Sequence, residues 1–165
     1  MSIELIVLDV DGTMTSGEIT YTQNGDEIKS FCVKDGLAIS SWIKLGKRVA
    51  IITGRESQIV KRRATELGIT HLYQGVDNKK EVLDNLLKEL NLNMQSVASI
   101  GDDLNDYKML KSSKISFVPS NASSYVKDIA DIILSKNGGD GAVREMIEYL
   151  IALEGLEEKY LELWY

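Results

Sequence analysis

One cysteine, one histidine and no surplus of basic residues put several functions out of reach of this 165-residue chain. Cys32 has no partner within the chain, so an internal disulfide is impossible, which fits a reducing compartment. It also lacks an adjacent basic residue that would make it a nucleophile, and packing or backbone contact is its expected contribution. His71 falls inside a predicted strand and reads as structural, which leaves proton transfer to carboxylates. A formal net charge of −6 argues against nucleic acid as a partner, so an anionic ligand must be drawn by local positive groups. No run of about 18 apolar residues is available to span a membrane, and the chain enters its first strand without a charged-then-apolar leader. A cytoplasmic protein is the expectation. Repeats and low-complexity linkers are missing as well, and 44% hydrophobic content over this length suits one domain with a real core.

What is present is a set of strand ends loaded with polar chemistry. Residues 4–15 run Glu-Leu-Ile-Val-Leu-Asp-Val-Asp-Gly-Thr-Met-Thr, placing Asp9 and Asp11 just beyond an apolar run, with Gly12 forcing a turn after them. A continuous Ile/Val/Leu run is the pattern of a buried parallel strand, and open α/β sheets collect ligands beyond the carboxyl ends of their strands. Two neighbouring carboxylates repel unless a cation lies between them, and hard oxygen ligands suit Mg²⁺. Val49 to Arg55 forms a second apolar run, ending in Thr53 and Gly54, which can donate to phosphoryl oxygens. Lys79, after Gly75-Val76-Asp77-Asn78, offers a fixed positive charge near a helix start, with Lys80 as competitor. Val97 to Asp106 is a third run ending in an acidic cluster. Each piece has a plainer reading: an acidic turn, a strand end, a solvated helix face, a helix cap at Asp102 and Asp103.

Hydrophobic periodicity places strands at 4–9, 48–53, 71–74, 97–101, 115–118 and 131–134. Helices fall at 35–46, 56–67, 79–91, 104–112, 122–128 and 140–153. Asn24-Gly25 between two alternating runs predicts a β-hairpin with arms at 17–22 and 27–32. The alternation implies an α/β fold, a Rossmann-like parallel sheet with helices on both faces and a protruding hairpin.

Together the four motifs resemble the haloacid dehalogenase superfamily of aspartate-nucleophile phosphatases: Asp-x-Asp-Gly-Thr at Asp9 to Thr13, the strand-terminal Thr at Thr53, the Lys at Lys79, and Gly-Asp-Asp-Leu-Asn-Asp at Gly101 to Asp106. The superfamily pattern favours Lys79 over Lys80, since the lysine follows Asn in Gln74 to Lys79. The resemblance implies that Asp9 attacks phosphorus to give an aspartyl-phosphate. It implies that Asp11 is the general acid and base, and that Mg²⁺ is held by the Asp9 side chain, the Asp11 carbonyl and the Asp102 side chain, with Asp103 and Asp106 outside them. Between Thr13 and Thr53, and between Thr53 and Asp102, there is no room for a cap domain. The substrate is then macromolecular, or neighbouring subunits supply the lid.

The second possibility is favoured by Phe31 to Gly36, Ile52 to Arg55, Gly68 to Gly75 and Gly138 to Glu145, which are similar to segments of the 3-deoxy-D-manno-octulosonate 8-phosphate phosphatases. That resemblance, from about residue 3 to residue 150, implies hydrolysis of the eight-carbon sugar phosphate on the way to lipopolysaccharide, in a homotetramer assembled through the hairpin. Its substrate contacts fall on Cys32, Val33, Lys34, Asp35, Gly36, Arg55, Arg63 and Lys79, beside Asp11 and Gly54. The chain departs from the pattern at Asp140, where some members carry arginine. Guanidinium forks at Arg55 and Arg63 suit a substrate carboxylate, although Lys61-Arg62-Arg63 also reads as a solvated helix face. Residues 154–165 are expected to form a tail helix beyond a 1–153 domain; Leu153, Leu156, Tyr160, Leu163 and Trp164 fall near one helical face, which packs on its own domain by default or meets another subunit. A phosphatase for nine-carbon keto-deoxy sugar acid phosphates is the nearest alternative. A receiver-like domain is disfavoured because Thr53 stands where the phosphate-accepting Asp would be, and a silent scaffold would not need the full set of acids.

Overall fold

Strand β1, Leu5–Leu8, has no solvent exposure at any of its four residues, because it lies at the centre of a six-stranded parallel sheet covered on both faces. The computed structural model, which describes residues 2–165, orders that sheet β5-β4-β1-β6-β7-β8. The short strands β2 (Thr20–Tyr21) and β3 (Glu27–Ile28) form the hairpin, and the remaining sheet strands are β4 (Arg48–Ile52), β5 (His71–Tyr73), β6 (Val97–Ile100), β7 (Ile115–Val118) and β8 (Ile132–Ile133). Alternate β1 side chains face opposite layers. Ile6 and Leu8 join a core with Ala38, Ile39, Val60 and Met146. Leu5 and Val7 meet Leu83, Leu86 and Met109 on the other side. A strand buried on both faces has no reason to alternate polar and apolar residues, which explains the uninterrupted apolar run.

The helices are α1 (Val33–Lys44), α2 (Gln58–Leu67), α3 (Lys79–Glu89), α4 (Tyr107–Ser112), α5 (Ser124–Lys127), α6 (Ala142–Leu153) and α7 (Glu157–Glu162). Right-handed crossovers of a parallel sheet start each following helix at the carboxyl edge. Ser57 caps α2 by accepting from the Ile59 amide, and Asn78 caps α3 by accepting from the Glu81 amide, so Lys79 is the first residue of its helix. From β1 the chain crosses to β4 and β5 on one side, then returns to β6 on the other. Register keeps the central strands in step, with Leu8 opposite both Ile51 and Ile100. Asp9, Thr53 and Asp102 therefore emerge together at the point where the strand order reverses, the usual ligand crevice of such sheets.

Three expectations need correction. The hairpin is real but pairs over only two residues per arm, Thr20 with Ile28 and Tyr21 with Glu27, far short of 17–22 and 27–32. Its loop is the three-residue Gln23–Gly25, closed by the Thr22 amide donating to Asp26, with Gly25 at φ +88°. Helix α1 begins two residues before the expected 35. Finally, the tail helix is shorter than 154–165, spanning Glu157–Glu162; Leu156 and Tyr160 pack into the same core as β1, while Leu153 and Trp164 stay exposed. The intervals between motifs hold only the hairpin and α1, then α2, β5, α3 and one 3-10 turn.

Candidate active site

Lys79 is 2% exposed, and its ammonium donates to Asp9 Oδ1 at 2.5 Å and Asp106 Oδ1 at 2.6 Å. Asp9 follows β1 directly, its amide donating to the Ile100 carbonyl on β6. Asp106 uses its other oxygen to accept from the amides of Asp102 and Asp103, so one buried carboxylate both folds the 101–106 loop and anchors the lysine. Such packing needs glycine at 101, where a Cβ would lie 2.3 Å from the Asp106 Cγ. Gly12, at φ +95°, lets the Asp102 carboxylate approach where a Cβ would otherwise stand 2.0 Å from it. Lys80, the competing lysine, points instead along α3 to Asp84 at 2.6 Å.

Oxygens of Asp9, Asp102 and Asp106 lie within 4.8 Å of one another. One ammonium cannot neutralise three carboxylates. Burial, followed by the charge of Asp106, raises the Asp9 carboxyl well above the ordinary carboxylate range despite Lys79. Burial and then Asp106 push the Asp102 carboxyl up to about 6. Burial works against the Lys79 ammonium, yet Asp9 and Asp106 outweigh it and raise its pKa. A cluster of hard oxygens short of positive charge, partly open through Asp102, fits a divalent cation of the Mg²⁺ type.

Beside this cluster the hairpin contributes a second network. Lys29, with a side chain only 1% exposed, ion-pairs with Asp11 and reaches Glu27 at 2.8 Å. Glu27 in turn faces Arg55 at 3.6 Å, whose guanidinium lies 3.5 Å from the Tyr21 hydroxyl. Thr53 is buried, its amide donating to Tyr73 and its carbonyl accepting from Val76. Gly54 is exposed and faces the Asn105 side-chain nitrogen, 3.8 Å from the position of its absent Cβ.

The remaining candidates divide. Arg63 is no solvated arginine: it is half-buried and lies over the Phe31 ring at 5.6 Å, and a Cβ on Gly36 would stand 2.4 Å from its guanidinium. Asp35 is buried and accepts the Arg144 amide at 2.8 Å, which ties α1 to the first turn of α6 and turns this carboxylate toward protein. Burial pushes it up to about 6. Cys32, Val33 and Lys34 line a second cleft of about 470 Å³ with Lys136, Asp140 and Arg144. Asp103 is exposed, and its carboxylate accepts the Leu104 amide to cap the 3-10 turn at Leu104–Asp106, so that only its backbone amide reaches the cluster, at Asp106.

With this geometry in view, comparison with known proteins is decisive. A haloacid dehalogenase-like hydrolase family model matches residues 68–147. The 3-deoxy-D-manno-octulosonate 8-phosphate phosphatase KdsC of Escherichia coli strain K12 is 40% identical over 154 residues, covering 93% of this chain and 82% of that one. The chain belongs to the 3-deoxy-D-manno-octulosonate 8-phosphate phosphatase family. Among solved structures, the phosphatase of that name from Moraxella catarrhalis, in complex with magnesium ion, phosphate ion and KDO, superposes with a TM-score of 0.96 at 38% identity, covering 99% of this chain and 94% of that one. The cobalt-bound form of the Haemophilus influenzae phosphatase gives a TM-score of 0.89 at 37% identity, covering 93% and 90%.

Within this family member, sequence reasoning missed Lys29 and Asn105. A signal for Lys29 was available. Glu27, Lys29 and Phe31 share one phase of the hairpin's alternation and are half-buried, whereas Ile28 and Ser30 are exposed. A lysine on the inward phase of an exposed ribbon must find an acid. Asn105 carries no such signal, since it reaches Gly54 only through the tertiary register of β4 and β6.

Proposed function

We propose that this chain hydrolyses 3-deoxy-D-manno-octulosonate 8-phosphate to the free sugar acid and inorganic phosphate, with Mg²⁺ as cofactor. The observation that carries the reading is the convergence of Asp9, Lys79, Asp102 and Asp106 at the carboxyl edge of the sheet, in a chain this similar to enzymes of that activity.

The Asp9 and Asp102 side chains and the Asp11 carbonyl would hold the metal. Bound there, Mg²⁺ offsets the charge of the phosphoryl oxygens, so that one anion can approach another. Asp9 supplies the attacking oxygen and forms an aspartyl-phosphate. Lys79 neutralises the nucleophile's surroundings and the transferring group, and Asp106 holds Lys79 in place. Thr53 and Gly54 donate to phosphoryl oxygens that gain charge in the transition state. Asp11 gives a proton to the departing sugar oxygen, then takes one from the water that cleaves the phosphoenzyme. Arg55 and Arg63 bind the sugar acid.

The open edge of the sheet is completed by a neighbouring subunit. Ile19, Tyr21 and Ile28 on the hairpin and Val33 and Leu37 on α1 are exposed, which supports a homotetramer joined through these faces. The tail begins at the opposite, amino edge, where Glu154 accepts the Ile3 amide and Trp164 lies under Lys44. Its exposed end is therefore available to a second subunit's site rather than its own. Among the described residues no helix is long and apolar enough to cross a membrane, and a single half-buried cysteine agrees with action in the cytoplasm.

The test is phosphate release measured on eight- and nine-carbon keto-deoxy sugar acid phosphates, each with Mg²⁺ and with chelator. Mg²⁺-dependent turnover with a higher kcat/KM on the eight-carbon ester is expected. Preference for the nine-carbon ester, or metal-independent turnover, would overturn the assignment.

A further inference from the structure

We infer that Lys29 is the residue that positions Asp11 for proton transfer to the leaving group, so that the hairpin completes this subunit's own catalytic machinery in addition to any role in assembly. The inference rests on the reading of Asp11 as general acid.

Asp11 sits in the turn after β1, on a backbone fixed by Gly12, and its side chain is 20% exposed. A carboxyl group at the mouth of a cleft has free rotation about two bonds unless something holds it. Here the hold is specific. The Lys29 ammonium donates to Asp11 Oδ1, and among the described residues no other side chain or amide bonds to this carboxyl. Oδ2 is left free to face a ligand. Lys29 is itself constrained: its side chain is 1% exposed, and Glu27 at 2.8 Å offsets its charge from the other side. A long amine that gives up hydration and rotamer freedom at the base of a two-residue ribbon is not there for solubility. Deleting the ammonium leaves the backbone of Asp11 untouched but frees its side chain, and misplacing a reacting group by about 1 Å costs on the order of 100-fold.

The step served is balanced. As the Asp9 oxygen forms its bond to phosphorus, the bond from phosphorus to the sugar oxygen breaks, its electron pair stays on that oxygen, and a proton that Asp11 has taken from water on Oδ2, with Oδ1 still bonded to the Lys29 ammonium, completes the alcohol. An aryl phosphate needs no such proton, because a phenolate with electron-withdrawing groups leaves as the anion. Leaving-group dependence therefore separates a positioning role from a structural one.

The experiment compares kcat/KM for a sugar phosphate and for p-nitrophenyl phosphate in Lys29→Met, Lys29→Arg and Asp11→Asn. Lys29→Met keeps the buried methylene stem. It should lower kcat/KM on the alkyl ester by about 10- to 100-fold and on the aryl ester by less than about threefold, consistent with lost general-acid assistance. The ratio of the two substrates is independent of how much of the variant is folded. Lys29→Arg should recover part of the alkyl-ester rate, since a guanidinium keeps a charged donor to Oδ1. Equal losses on both substrates, or no loss on either, would overturn the inference for Lys29. If Asp11→Asn itself shows no leaving-group split, the underlying reading of Asp11 fails, which is a distinct result.

Discussion

The two halves of the site are built in opposite ways. Asp9, Lys79, Asp102 and Asp106 are fixed by strand register and helix starts inside a close-packed core, with the Lys79 ammonium and both Asp106 oxygens engaged by other members of the cluster. Asp11, Lys29, Glu27, Arg55 and Tyr21 form a chain of charges laid across an exposed ribbon that pairs over two residues. The cluster is rigid because moving one member breaks several buried bonds. The ribbon has few buried apolar contacts of its own, the kind of segment that opens at low free-energy cost. Rigid parts suit a nucleophile whose distance to phosphorus must not vary, whereas adjustable ones suit the groups that meet a departing sugar.

The comparison breaks most visibly at the cluster. Lys79→Met should abolish turnover and lower metal-free stability by about 3–5 kcal/mol, because Asp9 and Asp106 would face each other, buried and without a cation. Asp9→Asn should abolish turnover equally yet cost little stability, since Lys79 keeps Asp106. Paired denaturation curves and phosphatase assays check this. Equal stability of the two variants would show that the cluster is not held by its lysine.

These two halves were not equally legible in the sequence. Motifs that end strands announce themselves, because a buried parallel strand is an apolar run and whatever polar residue stops it lies at the crevice; Asp9, Thr53 and Asp102 were readable on that ground, whereas Lys79 was preferred over Lys80 only through the superfamily pattern. The bond from Lys79 to Asp106 was not readable, since it joins residues 27 apart in sequence through packing of α3 on α4. Lys29 was not singled out, and Arg63 kept two readings, for a common reason. A charged residue in an exposed element defaults to solvent, and only tertiary contacts with Asp11 and Phe31 say otherwise. Asp35, expected as a substrate contact from the resemblance, also accepts the Arg144 amide of α6 through Oδ1, a bond that sequence alone does not announce.

Asp35 gives a prediction of intermediate size that isolates the scaffold from the site. An acid whose folded pKa lies above its unfolded one binds its proton more tightly when folded. Its contribution is complete below the ordinary value of 3.8 and is lost as pH rises through about 6. Thermal melting of wild type against Asp35→Asn should show the variant losing less stability across that window, by about 3 kcal/mol at most, because an amide still accepts from the Arg144 backbone. Parallel melting profiles would show that this carboxyl does not titrate between its free and buried values.

The smallest effect on the isolated chain is expected at the ribbon's outer surface. Ile19 and Ile28 are 45% and 49% exposed. Replacing both with Ser should therefore change the unfolding free energy of the subunit by no more than about 0.5 kcal/mol per site, as for ordinary surface positions. If these side chains join subunits, the same double substitution removes apolar area from an interface, and the mass measured by light scattering should fall from that of a tetramer. Activity on a sugar phosphate should drop with the mass, because an open sheet edge loses the neighbour that excludes water from it, while p-nitrophenyl phosphate, which needs fewer contacts, should be hydrolysed nearly as before. An unchanged mass would reverse the contrast drawn here, making the ribbon a device of the single subunit, held in place by Lys29 and Asp11 alone.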